Sequence, residues 1–207
     1  MDFFALAAKR RTVRQFTADP VSKGDIEKII QAGLMAPSPN NSQPWKIAVI
    51  TDKKLLDRMK DAVEKKLAGM FPKVSAESKT RLEKVRTFST MFVDAPVVLA
   101  VMAKPYKAMI DKVLEETTVT HEEMNVLRMH PDIQSVGALV ENMLLAATEI
   151  GLGGCWVSGA LVASESIDEL LKDKEYKIQT LVAIGKPAAK PAPKEPLSLA
   201  DHVSWIA

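Results

Sequence analysis

Apolar positions recur along the chain with two different periods, and the alternation divides it into amphipathic helices and short strands. A short N-terminal helix is predicted over Asp2 to Lys9, and Asp19 with Pro20 marks a break after it. Ser22 and Asp25 form a weak capping pattern for a helix running to about Ala36, with Ile26, Ile29, Ile30 and Leu34 on one stripe. Pro37 and Pro39 stop it. Trp45 to Thr51 alternates poorly but is rich in Ile and Val, which predicts a strand buried on both faces. Lys53 to Phe71 and Ala76 to Thr90 have a helical period, Leu55, Leu56, Met59, Val63 and Leu67 sharing one face of the first. Asp94 and Pro96 introduce a second strand over Val97 to Met102.

Val136 to Ile150 is apolar almost all round, which predicts a long helix covered on most of its circumference by its own sheet or by another subunit. A third strand over Gly154 to Ser158, a helix near Leu171 and a fourth strand over Ile178 to Gly185 follow. Pro187, Pro191, Pro193 and Pro196 then predict an extended arm rather than packed structure. Beyond it Leu199, Val203, Trp205 and Ile206 make the tail apolar again, as a segment that docks on a partner would be. No strand leads into the regular helix and parallel strand of a doubly wound sheet, so the class is α+β.

Composition narrows the function more than the fold. With 207 residues, 47% of them hydrophobic, the chain can bury a sizeable core. Its 28 Lys and Arg against 26 Asp and Glu leave a formal charge of +2, too little for a general polyanion-binding surface, so any anion site is local. The cations of the Asp52 to Arg86 stretch interleave with acidic residues as on solvated helices, and no nucleic-acid partner is expected. A single cysteine, Cys155, excludes an intrachain disulfide, and the first residues lack a secretory pattern, so a cytoplasmic location is expected. Ile133 to Gly154 is interrupted by Gln134, Glu141, Asn142, Thr148 and Glu149, and no membrane span is expected.

Several familiar motifs are missing. The third glycine of a dinucleotide fingerprint begun at Gly151 would fall on Trp156, and Gly185-Lys186 lacks the upstream glycine and following hydroxyl of a phosphate loop. His121, His130 and His202 have no metal-ligand spacing, and Cys155 among apolar neighbours reads as a small buried hydrophobe.

Three segments carry chemistry instead. Arg10, Arg11, Thr12, Val13, Arg14, Gln15 and Phe16 concentrate guanidinium forks and a hydroxyl, which suit phosphate oxygens, although cations at a helix C-terminus also complement its dipole. The loop from Ala36 to Trp45 combines Pro37, Pro39 and Pro44 with Ser38, Asn40, Asn41, Ser42 and Gln43, a stiff backbone with convergent polar groups that suits a flat polar ligand. Gly151, Gly153, Gly154 and Gly159 cluster around Cys155 to Ser158, where backbone N–H groups can approach a ligand or where the chain simply turns tightly.

Together and in this order the segments resemble the nitroreductase family: an RRSxRxF-like start, an APSxxNxQPW-like loop, and a GLGxCW-like turn after a long apolar helix. Ile184, Gly185, Lys186 and Pro187 add the family's late strand ending in GxP. The resemblance extends from Arg10 to Pro196 and is weakest over 52 to 86. It implies a nitroreductase-like fold, with a small mostly antiparallel sheet flanked by helices and a long central helix, in an intertwined homodimer. One domain over 1 to 207 is expected, its segment 186 to 207 exchanged with the partner subunit. FMN is the implied cofactor, held at the interface, with NAD(P)H as donor and a nitroaromatic, quinone or similar molecule as acceptor.

By the same resemblance Arg10, Arg11, Thr12 and Arg14, with Lys194 from the arm, hold the FMN phosphate and ribityl chain. Pro37, Ser38, Pro39, Asn41 and Gln43 line the ring from the other subunit, and the backbone of Val157, Ser158 and Gly159 faces its reactive nitrogen and carbonyl. Thr12 stands where Ser is common, and Lys194 stands where Arg is common, which removes a bidentate fork. Phe88, Met91 and Phe92 are apolar where some members carry amide or cationic contacts, and so are expected to shape the acceptor pocket. The chemistry belongs to the flavin, so no catalytic side chain and no metal is implied. A reductive dehalogenase, a flavin-fragmenting enzyme and a flavin-binding sensor without turnover remain alternatives.

Overall fold

The structure is a computed structural model that describes residues 2 to 206 apart from Lys107, Lys194 and Pro196. Four antiparallel strands form one sheet in the order β1-β2-β4-β3: β1 is Trp45–Ile50, β2 Val97–Ala103, β3 Gly153–Val157 and β4 Lys177–Gly185. Around it lie α1 (Phe3–Lys9), α2 (Lys23–Leu34), α3 (Lys53–Met70), α4 (Ala76–Thr90), α5 (Asp111–Leu114), α6 (His121–Leu127), α7 (Pro131–Glu149) and α8 (Ser164–Leu171).

The period of two in the central strands explains the layers. In β2, Val98, Ala100 and Met102 face one side and pack with Leu56, Met59, Val63 and Leu67 of α3 and Ile167 of α8. Val97, Leu99, Val101 and Ala103 face the other and pack with Ile26 and Ile29 of α2 and Val136, Leu139, Val140 and Met143 of α7. The expected α+β class with helices on a small antiparallel sheet is what the structure shows.

One strand assignment needs correction. Trp45 to Thr51 was expected to be buried on both faces, but β1 is an edge strand paired only with β2, and Lys46 and Val49 stay exposed. The fully buried strand is β2, which lies between two neighbours. The long helix also starts earlier than Val136, because Pro131 occupies the first turn, where a missing N–H costs nothing. Ser22 caps α2 as expected, accepting from the Asp25 N–H at 3.1 Å.

The open end of the sheet is tied by charges. Lys46 on β1 meets Asp173 at 2.5 Å, and Lys104 after β2 pairs with Glu175. The Lys46 bond and the Tyr176 and Glu175 N–H groups hold the Asp173 carboxyl below its ordinary 3.8, at about 2. A carboxyl depressed on folding adds stability that is complete above its unfolded value and disappears as pH falls through the folded one. The wild type is therefore expected to lose more of its urea midpoint than Asp173→Asn between pH 4.5 and pH 2, and equal losses would count against this tie.

Candidate functional site

The arginine segment forms no regular element yet is fixed along the free edge of β3. Val13 N–H donates to the Gly154 carbonyl at 3.0 Å, and Thr12 forms a parallel bridge with Gly154. The proline arm runs beside it, Thr17 N–H donating to the Lys186 carbonyl at 2.9 Å and Ala188 N–H to the Gln15 carbonyl at 3.0 Å. The arm is thus extended but docked over its first residues, which corrects the expectation that it lies outside packed structure; its Pro191 and Lys190 line the cleft described next.

The glycine turn makes this docking possible. A Cβ at Gly153 would stand 2.4 Å from Val13 Cγ2, and one at Gly154 would stand 2.5 Å from Leu144 Cδ2. Gly151 supplies the turn itself, with φ at 83°. Their first role is to let the Val13 and Leu144 side chains pack directly on the β3 backbone. Gly153→Ala is expected to destabilise the chain by about 1–3 kcal/mol through overpacking. Its melting temperature checks this, and an unchanged value would show that the segment can move aside freely.

The side chains of the segment go to three places. Thr12 and Arg14, with Val13 and Gln15, line a cleft of about 470 Å³ together with Thr87 and Phe88 from the end of α4, Met91 and Asp94 just after it, and Lys190 and Pro191 of the arm. Arg10 turns instead to α7, where Nε donates to Glu141 Oε1 at 3.1 Å. Arg11 donates to the carbonyls of Ala8 and Arg10 at 2.7 Å and of Ala192 at 3.2 Å, which ties the arm down. Among the described residues no carboxylate pairs with Arg14, and its guanidinium carbon lies 5.4 Å from the centre of the Phe88 ring.

Gly159 joins the end of β3 to the same neighbourhood, since a Cβ there would meet Ser89 Oγ at 2.5 Å. Val157 is buried and Ser158 is exposed just beyond it. Cys155 is buried beneath, its Sγ 3.9 Å from Met91 Sδ, and burial raises its pKa, in keeping with an inert core thiol.

The proline loop lies elsewhere. Pro37, Ser38, Pro39, Asn41 and Gln43 precede β1, at the opposite edge of the sheet from β3, about 14 Å away by strand spacing alone. Ser38 Oγ accepts from the Gln43 N–H at 2.9 Å, and Asn40, Asn41 and Gln43 adopt left-handed φ of 52°, 52° and 46°. Such backbone is uncommon without glycine and clusters at ligand sites. Among the described residues the Asn41 and Gln43 side chains make no hydrogen bond. One chain therefore gathers Thr12, Arg14, Ser158 and Gly159 at one edge and holds the proline loop at the other. Lys194 lies outside the described residues. Lys190 was not anticipated, because only the pairing of the arm with Gln15 and Thr17 shows which lysine reaches the cleft.

The residues of the cleft suit phosphate, since Thr12, Arg14 and Lys190 line it with a hydroxyl, a guanidinium and an ammonium among them, and Phe88 with Met91 offers an apolar wall for a ring. A layered α+β sheet with a cationic cleft at its free edge defines the class of the protein. The chain belongs to the nitroreductase family, whose model matches residues 7–186. It is similar to a BluB-like flavoprotein of Clostridium difficile 630, at 30% identity and a TM-score of 0.88 over 100% of both chains. A nitroreductase with bound FMN from Desulfitobacterium hafniense shares the fold at 22% identity and a TM-score of 0.73, over 99% of this chain and 97% of that one. An Archaeoglobus fulgidus protein named as an NADH dehydrogenase/NAD(P)H nitroreductase is 27% identical over 148 residues, 72% of this chain and 62% of its own length. The match thus spans less than two thirds of that relative. No helix among the described residues is long and apolar enough to cross a membrane.

Proposed function

We propose that the chain is an FMN-dependent oxidoreductase that passes electrons from NAD(P)H to a small electrophilic acceptor such as a nitroaromatic or a quinone. The observation that carries this reading is the cleft itself, which Thr12, Arg14 and Lys190 line together with Phe88 and Met91. The FMN of the Desulfitobacterium hafniense neighbour and the nicotinamide in the name of the Archaeoglobus fulgidus relative support it. Bound FMN would supply the redox chemistry. Arg14 and Lys190 would hold its phosphate and balance negative charge, Thr12 would add a hydroxyl donor, and the Ser158 to Gly159 backbone would offer N–H groups to it.

We further propose that the protein works as a homodimer. Asn41 and Gln43 have unspent polar groups but cannot reach the cleft of their own chain, so a second copy brings the two halves of the site together. Phe3 and Phe4 of α1, exposed to 62% and 78%, and Trp205 and Ile206 of the tail, exposed to 94% and 95%, are the apolar surface such a partner covers. The tail is then exchanged between subunits. With Cys155 buried and no second cysteine in the sequence, nothing in the site requires an oxidising compartment, which is consistent with a cytoplasmic enzyme.

One cleft must serve donor and acceptor in turn, because no dinucleotide fingerprint exists to build a separate nicotinamide site. NAD(P)H with a nitroaromatic or quinone is expected to give parallel double-reciprocal plots, and NAD(P)H alone is expected to bleach the yellow protein anaerobically. Intersecting plots and a colour that persists until both substrates are present would require a ternary complex and refute the shared site. Incubation with a halogenated phenol, or with excess reduced FMN in air, separates the dehalogenase and flavin-fragmenting alternatives, and steady NAD(P)H consumption excludes a sensor.

A further inference from the structure

Of the three arginines in the N-terminal segment, two are already committed. Arg10 is held by Glu141 and Arg11 by three backbone carbonyls, whereas Arg14 crosses the face of Phe88. Its 5.4 Å separation lies within the roughly 6 Å over which an aromatic ring attracts a cation. Phe88 itself is 56% exposed, on the last turn of a helix whose other residues are mostly polar. Ser89 lies against Gly159, and Thr90 and Met91 are buried, so the end of the helix that carries Phe88 is held in place. The ring projects from that fixed end, and Arg14 lies over it.

We propose that Phe88 is a positioning residue for Arg14, holding the guanidinium by its face so that its N–H fork stays free at the cleft for an anionic group. Stacking uses the face of a guanidinium and leaves its edge donors unspent, which an ion pair with a carboxylate does not. Asp94 lines the same cleft, so a guanidinium released from the ring has a carboxylate nearby to compete for it. The role rests on the flavin reading, in which the anionic group belongs to FMN.

The test compares wild type, Phe88→Leu, which keeps bulk without a π face, and Phe88→Tyr, which keeps the face. Three quantities are read: FMN affinity of the flavin-free protein, midpoint potential of the bound flavin, and the NMR shift of the Arg14 Nε proton, which a ring beneath it moves upfield. Phe88→Leu is expected to weaken FMN about 3- to 30-fold, to make the potential more negative, and to abolish the upfield shift, while Phe88→Tyr restores all three. Should Phe88→Leu fold poorly, Phe88→Met makes the same comparison. Wild-type uptake of FMN that the Leu or Met variant leaves unchanged, with an unchanged potential, overturns the positioning role alone. A wild type that takes up no FMN overturns the flavin reading and this role with it.

Discussion

Arg14→Ala is expected to weaken FMN by about 10- to 150-fold, the loss of one charge-assisted hydrogen bond of about 1.5–3 kcal/mol. Arg14 carries this weight because it is the arginine of its segment that enters the cleft without a carboxylate partner among the described residues. The prediction is specific because Arg10 is held by Glu141 and Arg11 donates to backbone carbonyls and anchors the arm. Lys174→Ala, an exposed cation of the α8 to β4 connection, serves as control and is expected to leave affinity unchanged. Flavin fluorescence titration measures both variants, and equal affinities would remove Arg14 from the site.

Truncation after Gly185 is expected to abolish flavin binding and association together. The lost residues include Pro187, which bridges to Phe16, Ala188, which donates to Gln15, and Ala192, whose carbonyl receives Arg11. They also include Lys190 and Pro191, one wall of the cleft, and the apolar tail residues Leu199, Trp205 and Ile206. Without the arm the arginine segment keeps its bonds to β3 and the Arg10–Glu141 pair but nothing on its arm side, so the cleft loses both a cation and the support of its other side. Sedimentation with detection at the flavin wavelength measures both effects in one experiment, and a flavin-loaded monomer would refute the two-subunit site.

Local patterns marked several elements because their causes are local. Ser22 caps α2 through a hydrogen bond three residues away, and the stripe of Leu56, Met59, Val63 and Leu67 needs only the helical period to show its buried face. The segment from Thr120 to Glu123 is a full capping box at the start of α6, a signal within the same range. The α5 turn of four residues offers no comparable period and was not anticipated.

Residue types within a few positions of one another suffice for the α+β class, the four strands, the long apolar helix and the three segments that carry the chemistry. The folded structure sets β1 at the edge and buries β2, because strand order depends on pairings between residues such as Val49 and Leu99, fifty positions apart in the chain. It alone divided the arginines, sending Arg14 to the cleft, Arg10 to Glu141 and Arg11 to the arm. It alone placed Lys190 in the cleft and the Ser38 to Gln43 loop at the far edge. Side-chain direction in an extended segment follows from the strand it lies against, here the β3 edge at Gly154, and no pattern within Arg10 to Phe16 encodes which face that edge will bury.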